Sequence, residues 1–209
     1  MTDHEVIVAI VDDDPSIRDG VSSLLRSAGW RVETFASAEE FLARSQTDPL
    51  SCLLVDLQLP ELSGLDLQKW MIDAKLEIPI VFISGHGTIP ASVQAIKAGA
   101  VEFLTKPFDE QQLFHAISEA VELDRGAREH RAELRQLRVR YDSLTPREQE
   151  VMREVVSGLL NKQVASELDI SEFTVKVHRG QVMRKMHADS LADLVRMAEK
   201  LGIRSSKNS

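Results

Sequence analysis

The chain has 209 residues, 43% of them hydrophobic and 28% charged, with a formal net charge of −8: a globular composition with room for two domains of ordinary size. No apolar run approaches the roughly 18 residues of a membrane span, and Met1-Thr2-Asp3-His4-Glu5 lacks the basic start of a signal peptide. The single cysteine, Cys52, excludes an internal disulfide, and a cytoplasmic location without a membrane partner is expected.

Short β-rich runs alternate with helical stretches over the first 120 or so residues. The run at 6–11 leads directly into Asp12-Asp13-Asp14. Asp14 before Pro15 reads as a helix cap with proline at the first helical position. A cap accounts for one aspartate and leaves Asp12 and Asp13 to be explained. The helix from Pro15 to Ala28 is closed by Gly29, and a strand follows at 31–35. Ser37-Ala38-Glu39-Glu40 is a capping box that opens a helix to about Arg44. The run at 52–56 ends in Leu53-Leu54-Val55-Asp56, and Cys52 at its start reads as a small buried hydrophobe. A helix from about Leu65 to Asp73, a strand at 79–84, a helix from Ile89 to Ala98 closed by Gly99, and a strand at 101–104 complete the series.

This alternation predicts an α/β fold, a doubly wound five-stranded parallel sheet. The carboxyl ends of parallel strands converge on one crevice, which would gather Asp12, Asp13, Asp56 and Lys106. Three carboxylates and one ammonium suit a divalent cation and a phosphoryl group, and all-oxygen ligation suits Mg2+. The enzymatic alternative is a magnesium-dependent phosphatase with Asp12-Asp13-Asp14 as its Asp-x-Asp. It leaves Asp56 unused and gives no role to a basic second half, so a non-enzyme is expected.

Val11-Asp12-Asp13-Asp14, Asp56 followed by Leu-Gln-Leu-Pro and Ser63-Gly64, Ser84-Gly85-His86-Gly87, and Phe103-Leu104-Thr105-Lys106-Pro107 together resemble the receiver domain of two-component response regulators, a flavodoxin/CheY-like fold, from about Glu5 to about Leu123. The resemblance implies that Asp56 is the phosphoacceptor and a sensor histidine kinase the donor. It implies that Asp13, Asp56 and the backbone carbonyl of Gln58 hold magnesium, with Asp12 ordering its water shell. Lys106 and Ser84 would meet the phosphoryl oxygens, and Ser84 and Phe103 would form the switch.

Residues 124–143 read as a helical linker. Ala120, Leu123, Ala127, His130, Leu134, Leu137 and Tyr141 recur in steps of 3 and 4. This seam is too short to separate a coiled coil from an extended receiver helix. Gly126, costing roughly 1 kcal/mol inside a helix, is its expected weak point.

Charge divides unevenly: residues 1–124 carry 8 Lys+Arg against 21 Asp+Glu, whereas residues 144–209 carry 11 against 9. Only the second half is suited to a polyanion. It opens with Thr145-Pro146-Arg147-Glu148, a helix start, and that helix runs to about Ser157 before Gly158. Asn161 reads as the cap of a short helix to Leu168, Asp169-Ile170-Ser171 as a tight turn, and Ser171 as the cap of a helix from Glu172 to Met186. Ser190 caps a last helix, apolar at Leu191, Leu194, Val195 and Ala198. Two helices across a tight turn, the second basic, predict an all-α helix-turn-helix domain over 144–204.

Leu-Thr-Pro-Arg-Glu, Asn-Lys-Gln-Val-Ala and Thr-Val-Lys-Val-His-Arg resemble the LuxR-type DNA-binding domain, and the chain as a whole resembles the NarL/FixJ family, nearer its FixJ-like branch. The resemblance implies DNA contacts by Lys162, Thr174, Lys176, Val177, His178, Arg179 and Arg184. Gly180 departs from the NarL branch, which carries a basic base-reading side chain there. Lys185 and Arg184 read equally as phosphate contacts or as a solvated helix end. The implied function is a phosphorylation-controlled transcription regulator that pairs as a homodimer on double-stranded promoter DNA and meets RNA polymerase. A rival expectation is a protein–protein module whose C-terminal helices bind a partner helix.

Overall fold

The computed structural model describes residues 6–45, 48–85 and 89–203. Glu5, Arg204, and the His86 and Gly87 of the Ser-Gly-His-Gly motif lie outside them. The chain divides into two compact units, Met1–Ala127 and Arg128–Ser209.

In the first unit the strands are β1 (Ile7–Val11), β2 (Arg31–Phe35), β3 (Cys52–Asp56), β4 (Ile80–Ser84) and β5 (Glu102–Thr105), interleaved with α1 (Pro15–Ser27), α2 (Ala38–Leu42), α3 (Gly64–Asp73) and α4 (Ile89–Lys97). They form one parallel sheet in the order β2-β1-β3-β4-β5. The chain reverses direction across the sheet between β1 and β3, which makes the cleft above those two strands the switch point. β1, β3 and β4 are buried along their whole lengths, because helices cover both faces of the sheet. One face packs Leu53, Val55, Leu67, Met71 and Phe82, and the other packs Ile10, Leu25, Leu54, Ile83 and Ile117.

Local signals set the helix ends. Asp14 Oδ1 accepts the backbone N–H of Ser16 at 2.8 Å, with proline next in line. Gly29 and Gly99 adopt φ of +87° and +95°, left-handed positions that stop α1 and α4 at low cost. α2 is shorter than its capping box suggests. Its last expected residue, Arg44, lies beyond the helix and binds Glu33 at 2.5 and 3.0 Å and the Asp48 carbonyl at 2.8 Å.

α5 (Glu110–Asp142) is a single helix running through the predicted linker. Both ends of its 3–4 seam are absorbed by packing: Ala120 lies in the first unit's core, and Tyr141 packs against the second's. Leu123 and His130 between them are exposed.

The second unit contains α6 (Pro146–Val156), α7 (Asn161–Leu168), α8 (Glu172–Met186) and α9 (Leu191–Lys200) around Val151, Met152, Val164, Val175, Val182, Met186 and Leu194. Asp169, at φ +52°, makes the turn between α7 and α8. One expectation is corrected. Asn161 is the first residue of α7 and not its cap; Leu160 occupies the cap position, where Gln163 Oε1 accepts its N–H at 2.8 Å.

Candidate functional site

The cleft at the switch point assembles from four elements. Asp12 follows β1, Asp56 ends β3, Ser84 ends β4, and Lys106 follows β5. Asp12 and Ser84 are fully buried, Asp56 nearly so, and Asp13 is exposed. Lys106 Nζ donates to Asp12 Oδ2 at 2.8 Å and to Asp56 Oδ2 at 2.6 Å. The second oxygen of each aspartate is fixed by backbone: Asp12 Oδ1 accepts from Asp14 N–H and Asp56 Oδ1 from Gln58 N–H, both at 2.9 Å. Gln58 is thereby tied to Asp56, with its side chain in solvent.

Oxygen atoms of Asp12, Asp13 and Asp56 lie within 4.8 Å of one another. With Lys106 included, four charged groups leave a deficit of two positive charges. Burial is the largest influence on Asp12 and pushes its carboxyl up despite the hydrogen bonds from Lys106 and Asp14. Burial works against the Lys106 ammonium too, but the bonds to Asp12 and Asp56 outweigh it and hold Lys106 above its ordinary value. Aspartates so poorly compensated fit a hard divalent cation. Asp14, the second aspartate of the phosphatase alternative, caps α1.

Two residues beside the cleft have roles that only the fold brings out. A Cβ on Gly64 would stand 2.4 Å from the Asp56 carbonyl oxygen and 3.0 Å from Phe82, so only glycine lets α3 start there. Arg18 donates to the Asp12 carbonyl at 2.6 Å. Phe103, half-buried on β5, stacks on Phe82 with centroids 6.1 Å apart and planes at 25°. Lys106 N–H donates to the Ser84 carbonyl at 2.8 Å, linking the strand ends that bear Ser84 and Lys106.

In the second unit, α8 carries most of the predicted DNA contacts. Ser171 caps it through Thr174 N–H at 3.1 Å, and the Ser171 and Thr174 hydroxyls are 2.8 Å apart. Lys162, Lys176, Val177 and Arg184 are exposed, while Thr174, His178 and Arg179 are half-buried. Lys176 pairs with Glu172 at 3.3 Å, and Arg184 donates to Gln181 Oε1 at 2.5 Å. Arg179 donates to Asn161 Oδ1 at 3.0 Å, which ties its guanidinium to α7. Lys185, half-buried, turns its ammonium to the protein: it donates to the buried Glu148 at 2.6 Å and to the Ser143 carbonyl at 3.3 Å.

Residues 8–118 match the response regulator receiver domain family, and residues 142–198 match the luxR family of bacterial regulatory proteins. Nodulation protein W of Bradyrhizobium diazoefficiens is 50% identical over 199 residues, covering 95% of this chain and 88% of its own. Transcriptional regulatory protein FixJ of Rhizobium meliloti is 42% identical, covering 95% of this chain and 96% of its own. Among solved structures, the response regulator StyR superposes with a TM-score of 0.83 at 48% identity, covering 94% of this chain and 99% of StyR.

Proposed function

Because the chain belongs to the NarL/FixJ family of response regulators, we propose that its signal enters as a phosphoryl group on Asp56 and leaves as a paired, promoter-bound form in the cytoplasm. The protein is a transcription-regulating response regulator and not an enzyme; the residues that carry each step are the proposal.

The supporting observation is the pairing of Asp56 with Lys106 inside the acidic cleft. An Asp56 carboxylate oxygen attacks the phosphorus of a phosphohistidine on the sensor histidine kinase. The phosphorus–nitrogen bond breaks, and an acyl phosphate forms. Phosphoryl transfer asks mainly for positioning and charge neutralisation. Asp13, Asp56 and the Gln58 carbonyl would hold Mg2+, with Asp12 behind them, and the ion would neutralise equatorial phosphoryl oxygens when bound. Lys106 supplies the second cation and Ser84 a hydroxyl. As Ser84 turns toward the phosphoryl group, Phe103 follows.

The output of that movement is receiver pairing. Ile89, Val93 and Ile96 form an apolar line on α4, with Ile89 80% exposed, and a groove lined by Ser92, Val93, Ile96, Lys97, Glu102 and Phe103 adjoins it. The switch aromatic thus borders the surface to be re-formed. Pairing sets two copies of α8 about one DNA turn apart, or a multiple of it, with Lys162, Lys176, Arg179 and Arg184 meeting phosphates or the groove rim, and RNA polymerase as the next partner. Radiolabelled phosphodonor tests the entry step: Asp56→Asn, with an amide that cannot form an acyl phosphate, takes up no label. Uptake at the wild-type rate would remove Asp56 from the role.

A further inference from the structure

The DNA-binding role of the second unit is the premise here, and the question is what α8 reads. Val175, Val182 and Met186 are its buried side. The opposite side, in steps of four, three and four, is Phe173, Val177, Gly180 and Arg184, one line along a helix. Phe173 is 76% exposed and Val177 46%, so the packing of the unit uses neither. A Cβ on Gly180 would meet nothing within 4 Å, so α8 presents bare backbone there.

Through its first two turns this line offers no side-chain donor or acceptor. Two groups that could read base edges by hydrogen bonds, Lys176 and Arg179, lie off it and are paired, with Glu172 and Asn161. A helix-turn-helix sets the N-terminal residues of its second helix against base edges, and that is where Phe173 and Val177 stand. The one apolar group on the major-groove edge of the bases is the thymine 5-methyl. Arg184 ends the line, and Lys162 and Lys176 are exposed on the same two helices; these cations match the phosphates that flank a groove and oppose burial against an apolar partner helix.

We propose that Phe173 is a specificity-determining residue which, together with Val177, packs on thymine 5-methyl groups in each half-site, so that the operator is selected in part by methyl contact.

Full-length protein treated with acetyl phosphate is used to select duplexes from a random pool. Each thymine of the selected half-site is then replaced singly by deoxyuridine, which keeps the base pair and removes only the methyl. At least one replacement should weaken wild-type binding about fourfold, the effect of one lost buried methyl. That penalty should vanish in Phe173→Ala, and a second one in Val177→Ala. Both side chains are exposed, and circular dichroism checks that the variants fold. Selected half-sites lacking thymine, indifference of the wild type to every deoxyuridine, or a full penalty surviving in Phe173→Ala would each overturn the proposal. Failure to select any duplex would instead remove the DNA-binding premise, and the proposal with it.

Discussion

Asp13 differs from its two neighbours in the cleft because it is exposed and, among the described residues, has no backbone tie of the kind that fixes Asp12 and Asp56. Removing its carboxylate should therefore leave stability nearly unchanged while weakening the cation site. Asp13→Ala is expected to keep the wild-type urea midpoint and to lose phosphorylation to near background at millimolar Mg2+. Normal labelling of the wild type in EDTA would contradict the metal assignment altogether. Gly64 makes the opposite prediction. Its missing Cβ faces a backbone atom, the Asp56 carbonyl oxygen at 2.4 Å, and backbone in a buried strand cannot retreat cheaply. Gly64→Ala should cost about 1–3 kcal/mol, the range for overpacking, and slow label uptake by displacing Asp56. Denaturant unfolding and labelling read the two effects separately.

The start of α6 shows how a local signal and a distant side chain share one carboxylate. Thr145 accepts Glu148 N–H, and Glu148 returns the bond to Thr145 N–H at 2.7 Å. The same Glu148 oxygen receives Lys185 from α8 at 2.6 Å. Burial is the largest influence on this carboxyl and would raise it. The hydrogen bond from Lys185, then that from Thr145 N–H, with the charge of Lys185, outweigh burial and hold it below its ordinary 4.5. A depressed carboxyl contributes stability that is present above its unfolded value and lost as pH falls through its folded value. The second unit should thus lose stability below pH 4.5. Glu148→Gln should cost about 2 kcal/mol at neutral pH, as for a hydrogen bond to a charged group, and should flatten the acid limb. Thermal melts across pH 3 to 7 test this; an unchanged acid limb would assign the pH dependence to other groups.

Across the whole molecule, residues 1–124 carry a net −13 and residues 144–209 a net +2. That asymmetry allows the acidic unit to mask α8 electrostatically, with pairing unnecessary. The apolar line Ile89, Val93 and Ile96 beside Phe103 favours pairing, because burial of such a line is a driving force that salt screens little, whereas masking fades as salt rises. Light scattering on full-length protein should give a monomer mass before acetyl-phosphate treatment and twice that mass after it, at low and high salt alike. An active form that stays monomeric on and off DNA would refute pairing.

The doubly wound fold, the cleft and most of the residues that line it were legible in the chain. Apolar runs bracketed by glycine and caps fix where strands stop, and parallel strands bring their ends together, so Asp12, Asp56, Ser84 and Lys106 could be gathered from spacing and family resemblance. The helix-turn-helix was equally legible, through Thr145, Ser171 and Ser190, which signal locally. What needed the tertiary structure were contacts between elements distant in sequence. Asn161 has the chemistry of a cap yet binds Arg179 across 18 positions. Lys185 has the pattern of a phosphate contact yet neutralises Glu148 across 37. The 3–4 seam of α5 left a coiled coil and an extended helix equally open, and its two ends pack into separate cores. Local propensity determines which backbone a segment adopts; which partner a polar or apolar side chain then meets depends on the packing of the whole, and in those places only the fold could decide.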